Sequence, residues 1–339
     1  MPSPFIQACR RQHTPFTPVW FMRQAGRSLP EFRALRERYS FFELLASPEL
    51  TAEVTLQPVR RLGVDAAILF SDIVAPLAAI GVGVDIKPGV GPVFAEPFRS
   101  DADLARLRPI EPDEDLQPML EAVRILHAEL DVPLIGFGGA PFTMASYFVE
   151  GGPSREYART KALMLGDPGL WRRLLDRLAD LTIAVLRAQV GAGAAAVQVF
   201  DSWAGVLAPQ HYERHVLPVS ARIFDELRGL GAPMVHFGVT TGELLGLLAA
   251  AGPDVVGVDW RVPLGAAWQR VGAKAVQGNL DPAVLGAPWE AVAAEADAVL
   301  AAAAGRPGHV FNLGHGVLPD TDPDVLARLV DHVHARTAT

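Results

Sequence analysis

The sequence predicts an α/β protein, a single-domain (β/α)8 TIM-type barrel over residues 1–339, with a β-hairpin excursion near residues 80–98. Three observations predict it. Short apolar runs recur along the chain, and amphipathic, helix-periodic stretches lie between them. The Val, Ile, Leu and Phe content of the runs is nearly continuous rather than alternating, as expected of parallel strands buried on both faces. Polar side chains fall just past the C-terminal ends of the runs, where a barrel gathers its functional groups. A doubly wound open sheet is the alternative, and convergence from so many strand ends favours the barrel.

The predicted strands are residues 18–22, 66–70, 133–137, 195–200, 233–237, 255–260, 275–280 and 310–313. Helical patterns occupy residues 49–62, 116–130, 170–190, 211–230 and 288–304. The first strand releases Arg23, the second Ser71 and Asp72, and the fourth Asp201, Ser202 and Trp203. The later strands end on His236, Asp259, Asn279, and Asn312 with His315. In the stretch 80–98, Gly81, Gly83, Gly89 and Gly91 punctuate a hairpin that can roof one side of the barrel mouth. No repeat period, low-complexity tract or linker interrupts the chain.

Composition narrows the function. The chain is 50% hydrophobic, enough for a large core. Its net charge of −8, without a basic tail, argues against non-specific nucleic-acid binding. The positive charge is carried by 27 Arg against 3 Lys in an Ala- and Gly-rich chain, so an arginine must be judged by its setting. Cys9 is the only cysteine, which excludes an internal disulfide and a multi-cysteine zinc site. With no apolar run of membrane-spanning length and no signal-peptide pattern, a soluble, cytoplasmic protein is expected, away from the membrane.

The strongest local signal is Met22-Arg23-Gln24-Ala25-Gly26-Arg27, where an apolar strand delivers two guanidiniums into a glycine-bearing turn. Each planar fork can take a carboxylate bidentately, so the pair points to a ligand with several negative charges. Of Arg33, Arg36 and Arg38 farther along, most read as surface ion-pair partners, with Arg36 able to face the cleft. Asp72 stands one residue beyond a buried strand, suited either to cap a helix or to stabilise a cation in an apolar cavity. Residues 136–143, Gly-Phe-Gly-Gly-Ala-Pro-Phe-Thr, lack the third glycine of a dinucleotide fingerprint, and Pro141 fits the first turn of a helix that carries Tyr147. His211-Tyr212-Glu213-Arg214-His215 has its glutamate misplaced for a metalloprotease motif and reads as an ordinary helix face, so no metal site is expected. His315 sits between Gly314 and Gly316 on a turn at the mouth, placed to hydrogen-bond a carboxylate or water.

Taken together, these segments resemble the uroporphyrinogen decarboxylase family along essentially the whole chain. The resemblance is most specific at residues 22–27 with Leu29-Pro30-Glu31-Phe32 and at Gly138-Gly139-Ala140-Pro141-Phe142-Thr143 running to Gly152, and Asn312-Leu313-Gly314-His315-Gly316 also matches. Phe70-Ser71-Asp72, residues 200–205 and residues 277–281 match in the same order. Ser28 departs from the pattern where an aromatic is common, and Arg155 where lysine is usual.

The resemblance implies a cofactor-free decarboxylase that acts on the four acetate side chains of uroporphyrinogen III, in a barrel that pairs as a homodimer. It carries functional roles onto Arg23, Gln24, Arg27, Arg36, Asp72, Tyr147, Ser202 and His315. The residues fit that chemistry on their own terms. The substrate's eight carboxylates suit an arginine-rich ring, and protonating a pyrrole carbon makes the substrate its own electron sink. Asp72, expected to stay ionised near the guanidiniums, would accept pyrrole N–H bonds and stabilise the developing cation. The proton donor stays open among Arg23, His315 and Asp72, with the Arg23 region favoured. Two rivals remain: a cobalamin- or thiol-dependent methyltransferase of the same superfamily, disfavoured by the missing late cysteines, and a non-catalytic tetrapyrrole-binding protein.

Overall fold

A computed structural model describes residues 3–87 and 89–339; residue 88, within the expected hairpin, and residues 1 and 2 lie outside the described residues. Seven parallel strands curl into one sheet: β1 (Ala67–Ile68), β4 (Leu134–Gly139), β5 (Ala196–Asp201), β6 (Met234–Gly238), β7 (Val255–Gly257), β8 (Ala275–Gln277) and β9 (His309–Val310), adjacent in that order. Between β1 and β4 the chain makes an antiparallel hairpin of β2 (Val84–Lys87) and β3 (Gly91–Phe94), inside the expected excursion.

The expected first strand is where the structure departs from the reading. Residues 18–22 form no ladder strand; they join the sheet through a single parallel bridge, Val19 to Phe311. The physical reason is that side chains take over the backbone donors. Val19 N–H goes to Asp65 Oδ2 at 2.7 Å and Met22 N–H to Asn312 Oδ1 at 3.1 Å. Asp65 N–H bonds Val19 O at 2.8 Å on one side, and Phe311 N–H bonds Pro18 O at 2.9 Å on the other. The segment thus fills the gap between β1 and β9 and closes the barrel as its eighth stave.

The strands deliver alternate residues to two cores. Phe137, Phe200 and Phe237 point into the barrel, with ring centroids 5.4 and 6.0 Å apart in sequence along the wall. Beneath them a polar string crosses the interior: Trp20 Nε1 donates to Gln277 Oε1 and Gln277 Nε2 to Gln198 Oε1, each at 3.0 Å. The opposite faces of β5 to β8 present Val197, Val199, Val256 and Val276 to the outer helices. The predicted helix 211–230 is two helices, Pro209–His215 and Leu217–Leu227, because Pro218 cannot continue the hydrogen-bond ladder across Val216. No described helix is long and apolar enough to cross a membrane.

Candidate active site

A cavity of about 1580 Å³ opens at the C-terminal ends of the strands. Ligand pockets usually span about 300–1,000 Å³, so this one suits a large ligand. A second cavity of about 420 Å³ lies at the opposite end, beside His309 and Arg336, and holds none of the predicted site residues.

Arg23, Arg27, Arg36, Asp72, Tyr147, Ser202 and His315 all line the large cavity. Arg23 occupies it through an unusual backbone: its φ of 60° is left-handed, a conformation that costs a non-glycine residue energy. The His315 loop holds that turn from the other side. Val317 N–H bonds Met22 O at 2.8 Å, and the Arg23 side chain lies over Gly316, where a Cβ would come within 2.4 Å of Arg23 Cδ. Arg33 braces the loop further, its Nη1 donating to Arg27 O at 2.8 Å and Ser28 O at 3.0 Å. Arg36 Nη1 bonds Tyr39 O at 2.6 Å. Arg33 makes none of the surface ion pairs expected of that helix among the described residues, being drawn to backbone carbonyls, while Arg36 faces the cleft as the sequence allowed.

Gln24 lies elsewhere. It is fully buried, its Oε1 accepting Phe21 N–H at 2.9 Å and its Nε2 donating to Ala66 O at 3.0 Å. Both ends of the amide are spent tying the Arg23 turn to the next stave, and the side chain does not line the cavity. His236 is a second correction to the strand-end reading. Strand parity turns it outward, fully buried, against Phe224 at 5.0 Å between ring centroids. Asp259, Asn279 and Asn312 likewise bond neighbouring backbone: Arg261 N–H, the carbonyls of Asp259 and Val262, and Met22 N–H respectively.

Electrostatics distinguish the groups that remain. Burial raises the Asp72 carboxyl above the ordinary carboxylate value, and the Val74 N–H bond (3.0 Å) and the Arg23 charge only partly offset it. The guanidiniums therefore do not dominate this carboxyl as the sequence suggested. The His315 imidazole is pushed down to about 4 by burial and then by Arg23 and Arg261, so it is neutral near pH 7. Its Nδ1 accepts Gly316 N–H at 2.6 Å, which leaves the proton on Nε2 as a donor. Burial, reinforced by Asp72, raises the Tyr147 hydroxyl, which stays protonated. The result is a half-buried Asp72 carboxyl beside the Arg23 guanidinium and the neutral donors Tyr147 and His315.

Several cavity residues escaped sequence reasoning. Lys87 and Ile86 reach the mouth from the hairpin, and Trp260 and the three inward phenylalanines join the strand-end Trp203 as aromatic walls. Trp203 packs on Tyr147 with ring centroids 3.8 Å apart, and Arg261 lies 3.8 Å over Trp260. The available signal was aromatic residues at or next to strand ends.

Comparison with known proteins adds to this geometry. The family model described as uroporphyrinogen decarboxylase (URO-D) matches residues 2–336. A Streptomyces coelicolor protein named uroporphyrinogen decarboxylase is 64% identical over 337 residues, covering 99% of this chain and 95% of that one. A Thermobifida fusca protein of the same name is 61% identical, covering 99% and 93%. Among solved structures, a methyltransferase from Methanosarcina mazei superposes with a TM-score of 0.82 at 17% identity, covering 98% of each chain. A B12-independent methionine synthase from Shewanella superposes at 0.60 and 13%, covering 88% of this chain and 90% of that one. These two likenesses speak to the barrel fold alone.

Proposed function

The chain belongs to the uroporphyrinogen decarboxylase family, and we propose that it converts uroporphyrinogen III to coproporphyrinogen III in the cavity lined by Arg23, Asp72 and His315. It is a carboxy-lyase of tetrapyrrole biosynthesis. The observation that carries the reading of the site is Asp72 itself, a cavity-lining carboxyl at the end of β1 whose burial is only partly offset by the Arg23 guanidinium.

The roles follow from charge and geometry. Arg23, Arg27 and Arg36 hold substrate carboxylates, with Ser202, Tyr147 and the Nε2–H of His315 as neutral donors. Asp72 accepts the pyrrole N–H groups. A proton added to the ring carbon beside the acetate-bearing position creates an iminium, and the C–CO2 bonding electrons flow into it as carbon dioxide leaves. A second proton then reaches the exocyclic methylene carbon to make a methyl group, and the ring proton departs, so each turn consumes one proton and releases one carbon dioxide. Asp72 stabilises the cation throughout. The Arg23 side chain or a water on it delivers the first proton; a neutral His315 with a depressed pKa is a poor acid at pH 7. Because the pyrrole serves as electron sink, the reaction calls for no organic cofactor.

Anaerobic incubation with uroporphyrinogen III, with the hepta- to tetracarboxylate products separated chromatographically, tests this reading; no loss of carboxylate overturns it. Pairing into a homodimer and folding as one cooperative unit belong to the same proposal. Sedimentation and a single unfolding transition check them.

A further inference from the structure

Two polar residues outside the cavity, Thr143 and Asp201, are fully buried and bonded to each other. Thr143, at the start of helix Pro141–Glu150, donates its hydroxyl to Asp201 Oδ1 at 2.9 Å and accepts Trp203 N–H at 3.2 Å on the same oxygen. The span from Asp201 to Trp203 is thereby bracketed at both ends, with Ser202 between. Trp203 in turn packs on Tyr147 at 3.8 Å, and Tyr157 meets its other edge at 4.8 Å.

The far side of Asp201 is as unusual. Its Oδ2 lies 3.7 Å from His236 Nε2, beyond direct bonding, and Tyr212, whose hydroxyl is raised first by burial, stands near enough for Asp201 to add to that shift. Asp201 Oδ2, the hydroxyls of Tyr212 and Ser220 and both His236 nitrogens are enclosed without a hydrogen-bond partner among the described residues. A fully buried polar side chain with an unpartnered oxygen is costly, so its place here calls for a role beyond packing.

We propose that Asp201 and Thr143 are positioning residues that fix Ser202 and the Trp203–Tyr147 stack for substrate carboxylates, with His236, Tyr212 and Ser220 as the polar seat of Asp201. This rests on the decarboxylase reading of the cavity. Two motifs of the chain, Asp201-Ser202-Trp203 and Ala140-Pro141-Phe142-Thr143, then have one purpose: the second locks the first.

The test compares wild type with Thr143→Val, Thr143→Ser and Asp201→Asn, each by anaerobic kinetics and by near-ultraviolet circular dichroism of the stacked aromatics. Thr143→Val keeps the shape and loses the hydroxyl. It is expected to raise KM about tenfold, the cost of one buried hydrogen bond, with a smaller change in kcat and a diminished aromatic signal. Thr143→Ser restores the hydroxyl and should return both readouts to within about twofold of wild type, as should Asp201→Asn, whose amide oxygen accepts the same bond. Wild-type KM and aromatic signal in Thr143→Val overturn the proposal. So does a large loss in Asp201→Asn beside a normal Thr143→Val, which places the role on charge alone. Should Thr143→Val not fold, Thr143→Ala is read the same way. The dichroism needs no turnover, so an inactive wild type defeats the decarboxylase reading while the locking geometry is still judged.

Discussion

Replacing Asp72 by Asn leaves the fold of the loop intact and removes one charge. Oδ1 survives as the amide oxygen and still accepts Val74 N–H, so the turn into helix Ala75–Ala79 keeps its anchor. What disappears is the anion facing the ring. A cation about 4 Å from a carboxylate in a partly buried site gains about 4 kcal/mol at an effective dielectric near 20. Lost only in the transition state, that amount lowers kcat about a thousandfold. With binding assigned mainly to the arginines in the proposed mechanism, KM should stay within about tenfold. The assay is initial-rate product chromatography under anaerobic, reducing conditions at saturating substrate. A kcat within tenfold of wild type refutes the cation-stabilising role. Because burial raises the Asp72 carboxyl, the acid limb of the wild-type kcat/KM profile should lie above the ordinary aspartate range and vanish in the variant.

Arg27→Ala should raise KM by at least about tenfold with kcat little changed; unchanged values of both remove Arg27 from the site. Gly316→Ala places a methyl against the Arg23 side chain, so kcat/KM should fall about tenfold or more while thermal stability barely moves. Gln24→Leu strands Phe21 N–H and Ala66 O; the structure predicts a loss of about 2 kcal/mol in urea unfolding, larger than any direct effect on KM. His309 and His315 are both depressed to about 4, so below about pH 6.5 the unfolded chain binds protons that the folded chain refuses. Stability should be full above that pH and decline as it falls toward 4, and His309→Asn should flatten the decline measured by denaturant midpoints.

The strand order, the hairpin and the location of the mouth were legible because each depends on local pattern: apolar runs, glycine spacing, residues just past strand ends. Arg23, Asp72 and His315 shared that legibility. Gln24 did not, since its two partners are decided by the path of the backbone at Ala66, 42 residues away. His236 was misread for a different reason. A one-residue change of parity at a strand end exchanges cavity for outer core, and a run without alternation does not reveal parity. Residues 18–22 looked like a full strand because apolar composition reports burial, whereas ladder formation depended on Asp65 and Asn312 capturing its amides.

That eighth stave has a consequence for how the protein is made. Its partners on the β9 side, Phe311 and Asn312, are about 290 residues downstream, so the stave made first is the last to be secured on both sides. At ordinary ribosomal rates, roughly 5–20 residues per second, Val19, Trp20 and Phe21 wait roughly 15 to 60 s for those partners. During that interval the segment that carries Arg23 is held only from the Asp65 and Ala66 side, and the half-built sheet presents two open edges. Loss of the chain from Phe311 onward would leave this intermediate permanent: most helices and strands present, Met22 N–H without Asn312, and Arg23 without the His315 loop that holds its turn.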